Sequence, residues 1–160
     1  MQNTEYEKQN KELRKKIASL AAEYADEKVP YVHRGTSRRG CDCTGLLVAV
    51  IQELGYLNDY VLREYPPDWN VHAGASNQII EELSKYADEI PRQKAATGDV
   101  AVMRFGRCPA HCGIIITDNL IMAHALSTNR HVKKSVLRGS VWQSRWIAAY
   151  RMSERKLWNG

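Results

Sequence analysis

Gly40-Cys41-Asp42-Cys43-Thr44-Gly45-Leu46-Leu47-Val48 is the stretch on which the fold turns, because it carries a thiol across the point where a loop becomes a helix. Beyond Thr44 the apolar residues Leu46, Leu47, Val50, Ile51 and Leu54 recur at helical spacing, and Gly55 reads as the residue just past the helix end. Cys43 is therefore expected at or beside the first turn. The first N–H groups of a helix have no partner within it and carry the positive end of the macrodipole, so a thiol there ionises more readily than a free one. A lone cysteine is most often a small buried hydrophobe, and this one points to catalysis only if a base comes from elsewhere in the chain.

Upstream, residues 5 to 27 place Leu13, Ile17, Leu20, Ala21 and Tyr24 at helical spacing among charges, an amphipathic helix that ends before Pro30. Residues 31 to 42 read as a Gly-, Ser-, Thr- and Arg-rich loop, and 56 to 75, with Pro66-Pro67, Trp69 and Gly74, as irregular chain. Ile79, Ile80, Leu83, Tyr86 and Ala87 mark a third helix, capped by Ser76 and closed by Pro91. From Gly98 the period becomes strand-like, over Asp99 to Phe105, His111 to Thr117, Leu120 to Leu126, Arg130 to Val136 and Ser144 to Met152. Helices followed by antiparallel strands give an α+β order in one domain spanning 1–160.

The base emerges from a hairpin. With Asp118-Asn119 as its turn, Thr117 faces Leu120 and His111 faces Leu126. His124 then lies one diagonal step from His111 on the same face of the sheet, a separation of ~7–8 Å that side chains can span. One imidazole as base to Cys43 and the other as the group that orients it is the nucleophile–base–orienter logic of thiol hydrolases.

Composition narrows the function classes. The chain is 44% apolar and 26% charged, which suits a folded domain, and no stretch nears the ~20 consecutive apolar residues of a spanning helix. Met1-Gln2-Asn3-Thr4-Glu5 lacks the basic-then-apolar plan of a secretory signal, so cytoplasmic synthesis is expected. The formal charge of +5 is spread over separate basic pairs rather than one helix face, which speaks for a solvated surface and against a specific nucleic-acid partner. Cys41, Cys43, Cys108 and Cys112 lack the Cys-x2-Cys spacing of zinc knuckles, so neither metal nor cofactor is expected. Cys41, Cys108 and Cys112 read as packing residues, His33, His72 and His131 as solvated, and Trp142 and Trp146 as aromatics of a late strand.

Pro30-Tyr31-Val32-His33-Arg34-Gly35, Gly40 to Leu46, Gly98 to Phe105, Ala110-His-Cys-Gly-Ile114, Met122-Ala-His-Ala125 and Arg145 to Met152 resemble the successive motifs of the NlpC/P60 cysteine peptidases over about residues 15–152. The Cys-Asp-Cys run and Asp68-Trp69 most resemble the subfamily of phage or prophage cell-wall peptidases. The resemblance implies a papain-like α+β fold and hydrolysis of an amide in peptidoglycan stem peptides. It makes Cys43 the nucleophile, His111 the base and His124 the orienting residue, with Tyr31, Asp42, Thr44 and Arg34 at the substrate. Thr44 stands where serine is commoner, and Arg34 where the first glycine of a Gly-Gly is frequent. Phage tail components are the further partners implied, and delivery to the cell wall by a tail or by lysis. An N-acetylmuramoyl-L-alanine amidase or an acyltransferase on the same scaffold, and a non-catalytic tail or assembly protein, stand as alternatives.

Overall fold

The computed structural model describes residues 2–65 and 77–159. Helix α1 (Gln2–Asp26) buries Leu13, Ile17, Ala21 and Tyr24, the stripe its spacing predicts. The loop after it folds into two short strands, β1 (Thr36–Ser37) and β2 (Gly40–Cys41), before α2 (Cys43–Glu53) begins. Two-residue strands carry too little alternation to be read from a sequence.

Helix α3 (Gln78–Tyr86) is one residue shorter at its end than its apolar pattern suggests, because Ala87 starts a strand, β3 (Ala87–Ile90), paired with the last strand of the sheet. That strand takes the place of the helix end expected at Pro91. The residue preceding α3 is Asn77, which makes no side-chain capping bond. The expected cap Ser76 lies outside the described residues, as do Pro66-Pro67, Asp68-Trp69, His72 and Gly74.

The remaining strands are β4 (Val100–Phe105), β5 (Cys108–Ile115), β6 (Ile121–Ala125), β7 (Val132–Val136) and β8 (Trp146–Met152). Together with β3 they form a six-stranded antiparallel sheet in the order β3-β8-β4-β5-β6-β7. The short helices α4 (Val141–Arg145) and α5 (Glu154–Trp158) flank β8. One apolar cluster joins α1, α2, α3 and α5 to the sheet through Ile17, Leu46, Val50, Val102, Ile114 and Tyr150. A second, smaller cluster of Ala101, Met103, Ile115, Met122 and Leu137 takes the residues of opposite parity, and Trp142 packs against it.

Two features of this frame position the site. The β5–β6 hairpin has the expected register, with Ile114 opposite Ala123 and Ile115 opposite Met122, and among the described residues the ladder goes no further toward His111. Pro30 and Tyr31 form single bridges to His131 and Cys41, which tie the segment before the cysteine helix to both β2 and the entry of β7.

Candidate active site

Cys43 is the first residue of α2 because Asp42 caps it. Asp42 is extended, with φ −99° and ψ −169°, and its Oδ1 accepts the N–H of Gly45 at 2.8 Å. The same buried carboxylate accepts from the backbone N–H of Arg34 at 2.7 Å, from the Thr44 hydroxyl at 3.2 Å and from the Tyr65 hydroxyl. Thr44 Oγ1 also lies 2.8 Å from the Tyr65 oxygen. Burial and the charge of Asp42 push the Tyr65 phenol far up, so it acts as a donor. Asp42 thus ties together the helix start, the 31–35 loop and residue 65. Gly45 permits this approach, since a Cβ there would sit 1.7 Å from the Gly35 carbonyl oxygen.

The Cys43 thiol is buried, with His111 and the Cys112 thiol as its electrostatic neighbours. Cys112 also lies with its sulfur 3.5 Å from the Cys43 carbonyl oxygen. The neighbouring Cys112 thiol and then His111, the latter also through its charge, bring the Cys43 thiol down to about 5, against burial and the opposing charge of Asp42. Cys112 moves the other way: its contact with Cys43 and its burial keep it protonated. Burial and Asp42 likewise push Cys41 up to about 12. Cys43 is thus moved toward its thiolate while Cys41 and Cys112 are moved away from theirs.

His111 and His124 are 1% and 0% exposed, and His111 Nε2 lies 2.8 Å from His124 Nδ1. Burial first, then the charges of His111 and Lys133, push His124 down to about 3, so it is the neutral ring of the pair. His124 Nε2 lies 2.8 Å from Ser135 Oγ. Trp142 covers both rings: its centroid is 5.4 Å from that of His111 and 4.9 Å from that of His124. Phe105 packs beside His111 and Trp142, and the Arg145 guanidinium lies 4.9 Å from the Phe105 centroid.

Cys43, His111 and His124, expected together from the sequence, are brought together. Tyr31 is half-buried close by, its phenol pushed up to about 12 by burial and by the charges of Asp42 and Cys43. The Arg34 side chain turns toward Leu62 and Glu64, with Nη2 3.3 Å from the Leu62 carbonyl oxygen and Nη1 3.6 Å from the Glu64 carboxylate. Four residues differ from their sequence reading. Trp142 lies on α4 rather than in a strand, and it packs on the histidines. His33 is only partly exposed and is partnered: its Nε2 lies 2.9 Å from the Tyr65 carbonyl oxygen and its Nδ1 3.8 Å from Asp42. Cys112 reaches the Cys43 carbonyl oxygen at the helix start as well as packing in the core. Ser135, which carries no motif of its own, ends the hydrogen-bond chain. Among the described residues no group of three or more His, Cys, Asp or Glu is placed to hold a metal ion.

A thiol at a helix start, set against a strand-borne pair of imidazoles in an α+β frame, defines a domain of the papain-like class. The chain belongs to the NlpC/P60 family, whose model matches residues 28–151. Its structure is similar to that of an NLP/P60-family protein described as similar to a lipoprotein, from Staphylococcus aureus, at 22% identity and a TM-score of 0.62, covering 89% of this chain and 42% of that one. It is similar to the NlpC/p60 domain of the peptidoglycan hydrolase SagA at 20% identity and a TM-score of 0.57, covering 86% of this chain and 97% of that one. It is also similar to the peptidoglycan hydrolase RipB from Mycobacterium tuberculosis at 17% identity and a TM-score of 0.57, covering 88% and 67%. No curated protein matches the chain. Among the described residues no helix is long and apolar enough to cross a membrane.

Proposed function

We propose that this chain is a cysteine endopeptidase that cleaves an amide bond in the stem peptides of peptidoglycan. Family membership supports a cell-wall hydrolase, and two of the structurally similar proteins are peptidoglycan hydrolases. The observation that carries the reading is the convergence of Cys43, His111 and His124 in one buried chain of contacts.

In this mechanism the Cys43 thiolate attacks the amide carbonyl, and His111 as imidazolium gives its proton to the leaving amine. Water, deprotonated by His111, then hydrolyses the thioester and returns the thiol. The Cys43 backbone N–H, one of the first-turn donors without an intrahelical partner, is the first candidate donor to the developing oxyanion. His124 accepts from His111 and keeps its ring in the useful orientation. Tyr31 and Arg34 form the wall on the side of the 31–35 loop. Asp42 and Thr44 shape that wall through their bonds with Tyr65, so substrate selection falls on the outline of the cleft as much as on a free carboxylate. A phage or prophage origin, with delivery by tail or lysis, rests on the Cys41-Asp42-Cys43 run and Asp68-Trp69.

Digestion of purified muropeptides followed by mass spectrometry tests the reading. The wild-type chain is expected to release fragments whose masses place the cut between two amino acids, and Cys43→Ala to release none. Cleavage between sugar and peptide would make it an amidase instead, and new amide bonds a transferase. Undiminished cleavage by Cys43→Ala would end the thiol mechanism.

A further inference from the structure

The chain of hydrogen bonds that starts at His111 does not stop at the second histidine. On β7, Ser135 pairs in register with Met122 and Lys133 pairs with His124, so Ser135 stands one diagonal step from His124 and reaches its Nε2 at 2.8 Å. We propose that Ser135 is a positioning residue of this site: its hydroxyl oxygen accepts the Nε2–H of His124 and so holds that ring in the one tautomer that can serve His111. The proposal rests on the reading of Cys43 as nucleophile and His111 as its acid–base partner.

The number of protons on the two rings fixes the tautomer of His124. His111 commits Nε2 to His124, which leaves Nδ1 for the thiol. When His111 is an imidazolium both of its nitrogens carry protons, so the His124 Nδ1 facing it must be a bare lone pair. His124 is neutral and has one proton, which must then sit on Nε2, and a buried N–H needs an acceptor. Ser135 Oγ is that acceptor. In the other tautomer two N–H groups would face each other across 2.8 Å whenever His111 is charged, with nothing between them.

The groups facing His124 make an uncharged acceptor the fitting choice. His111 reaches it from β5, Lys133 from β7 and the Trp142 indole from α4, and both His111 and Lys133 oppose a proton on this ring. A hydroxyl fixes the tautomer without adding a negative charge that would draw a second proton onto His124 and destroy the acceptor at Nδ1. Ser135 is half-buried on β7, an edge strand of the sheet, so its truncation leaves the apolar clusters untouched.

The test uses the full chain with Ser135→Ala and Ser135→Thr, read in three ways: 15N chemical shifts of the His124 ring, the pH profile of Cys43 alkylation by iodoacetamide, and kcat and KM on a purified muropeptide. In the wild type His124 is expected as the Nε2-protonated tautomer alone. Ser135→Ala should give a mixture of tautomers, an alkylation profile displaced to higher pH, and a kcat lower by about two- to tenfold at unchanged KM, the range expected for one neutral hydrogen bond. Ser135→Thr keeps the hydroxyl and should restore all three. Should the alanine variant fail to fold, Ser135→Cys, close in size and a poorer acceptor, takes its place and should show the same displacement. Unchanged ring shifts and a superimposable alkylation profile in Ser135→Ala would overturn the proposal, as would a folded threonine variant no better than alanine. The ring shifts and alkylation need no substrate: if they move while the wild type cuts no muropeptide, the peptidoglycan reading fails and the role of Ser135 stands.

Discussion

His111 Nε2 and His124 Nδ1 lie 2.8 Å apart, and His124 is held uncharged in that contact, its own protonation pushed down to about 3. An uncharged acceptor does one thing for a catalytic imidazole: it steadies the N–H without competing for the proton. Burial achieves this by penalising a second charge beside His111, and the Lys133 ammonium adds to the penalty.

The two histidines should accordingly differ in what their loss costs. His111→Ala removes the proton carrier and is expected to lower kcat by about 10²- to 10⁴-fold. His124→Ala removes one hydrogen bond and should cost about tenfold. His124→Asn, with an amide oxygen able to accept from His111, should lie between His124→Ala and the wild type. Turnover of the three variants on one muropeptide checks the order. Equal and near-complete loss in all three would mean that His124 moves a proton itself.

Trp142 closes the site on the side of α4, with its ring over both imidazoles. Removing it lets water reach the His111–His124 bond, which weakens as the local dielectric rises. Trp142→Ala is expected to lower kcat more than it raises KM, and to cost about 1–2 kcal/mol of stability for a half-buried ring. Trp142→Phe, which keeps an aromatic cover, should retain most of both. Thermal melts with steady-state kinetics measure the pair, and a loss confined to KM would make Trp142 a substrate contact instead.

The helix bearing Cys43 and the hairpin bearing the two histidines were legible because each rests on local rules. Leu46, Leu47, Val50 and Ile51 repeat at helical spacing, and the Asp118-Asn119 turn sets a register in which Ile114 faces Ala123. What stayed hidden is made by pairing over long range. β3 is four residues whose strand character comes from β8 rather than from their own pattern, and it cuts short the helix before it. Ser135 and Trp142 join the histidines only once β7 and α4 are folded against β6, and neither residue type stands out along the chain. Cys112 reads as a packing residue from the sequence and is buried as such; its contact with Cys43 depends on how α2 docks on β5.

Gly45 is a stricter requirement than its place in a helix suggests. A methyl group there would come 1.7 Å from the Gly35 carbonyl oxygen and 3.0 Å from Asp42 Oδ1, so the 31–35 loop must move or the helix start must shift. Gly45→Ala gains helix propensity and is nevertheless expected to lose about 1–3 kcal/mol through overpacking. Cys43 would be displaced with the helix start, so activity should fall further than the melting temperature alone accounts for. Chemical denaturation and muropeptide turnover test this, and a stabilised, fully active variant would show that the loop yields freely.

The acidity of Cys43 sets the last expectation. Its thiol is brought down to about 5, first by the Cys112 contact and then by His111. Thiolate is the reacting species, so alkylation by iodoacetamide should hold its rate as pH falls from neutrality and decline only through about pH 5. Cys41 and Cys112 are both buried and held protonated, and should stay unmodified over the same range. Cys112→Ala takes away the neighbouring thiol that lowers Cys43, so the fully reactive plateau should begin at higher pH, whereas Cys112→Ser keeps a polar hydrogen there and should shift it less. Peptide mapping after pulses of reagent at a series of pH values gives each thiol its own profile. A Cys43 profile centred near that of a free thiol, or one that Cys112→Ala leaves in place, would remove the Cys112 contact as the cause.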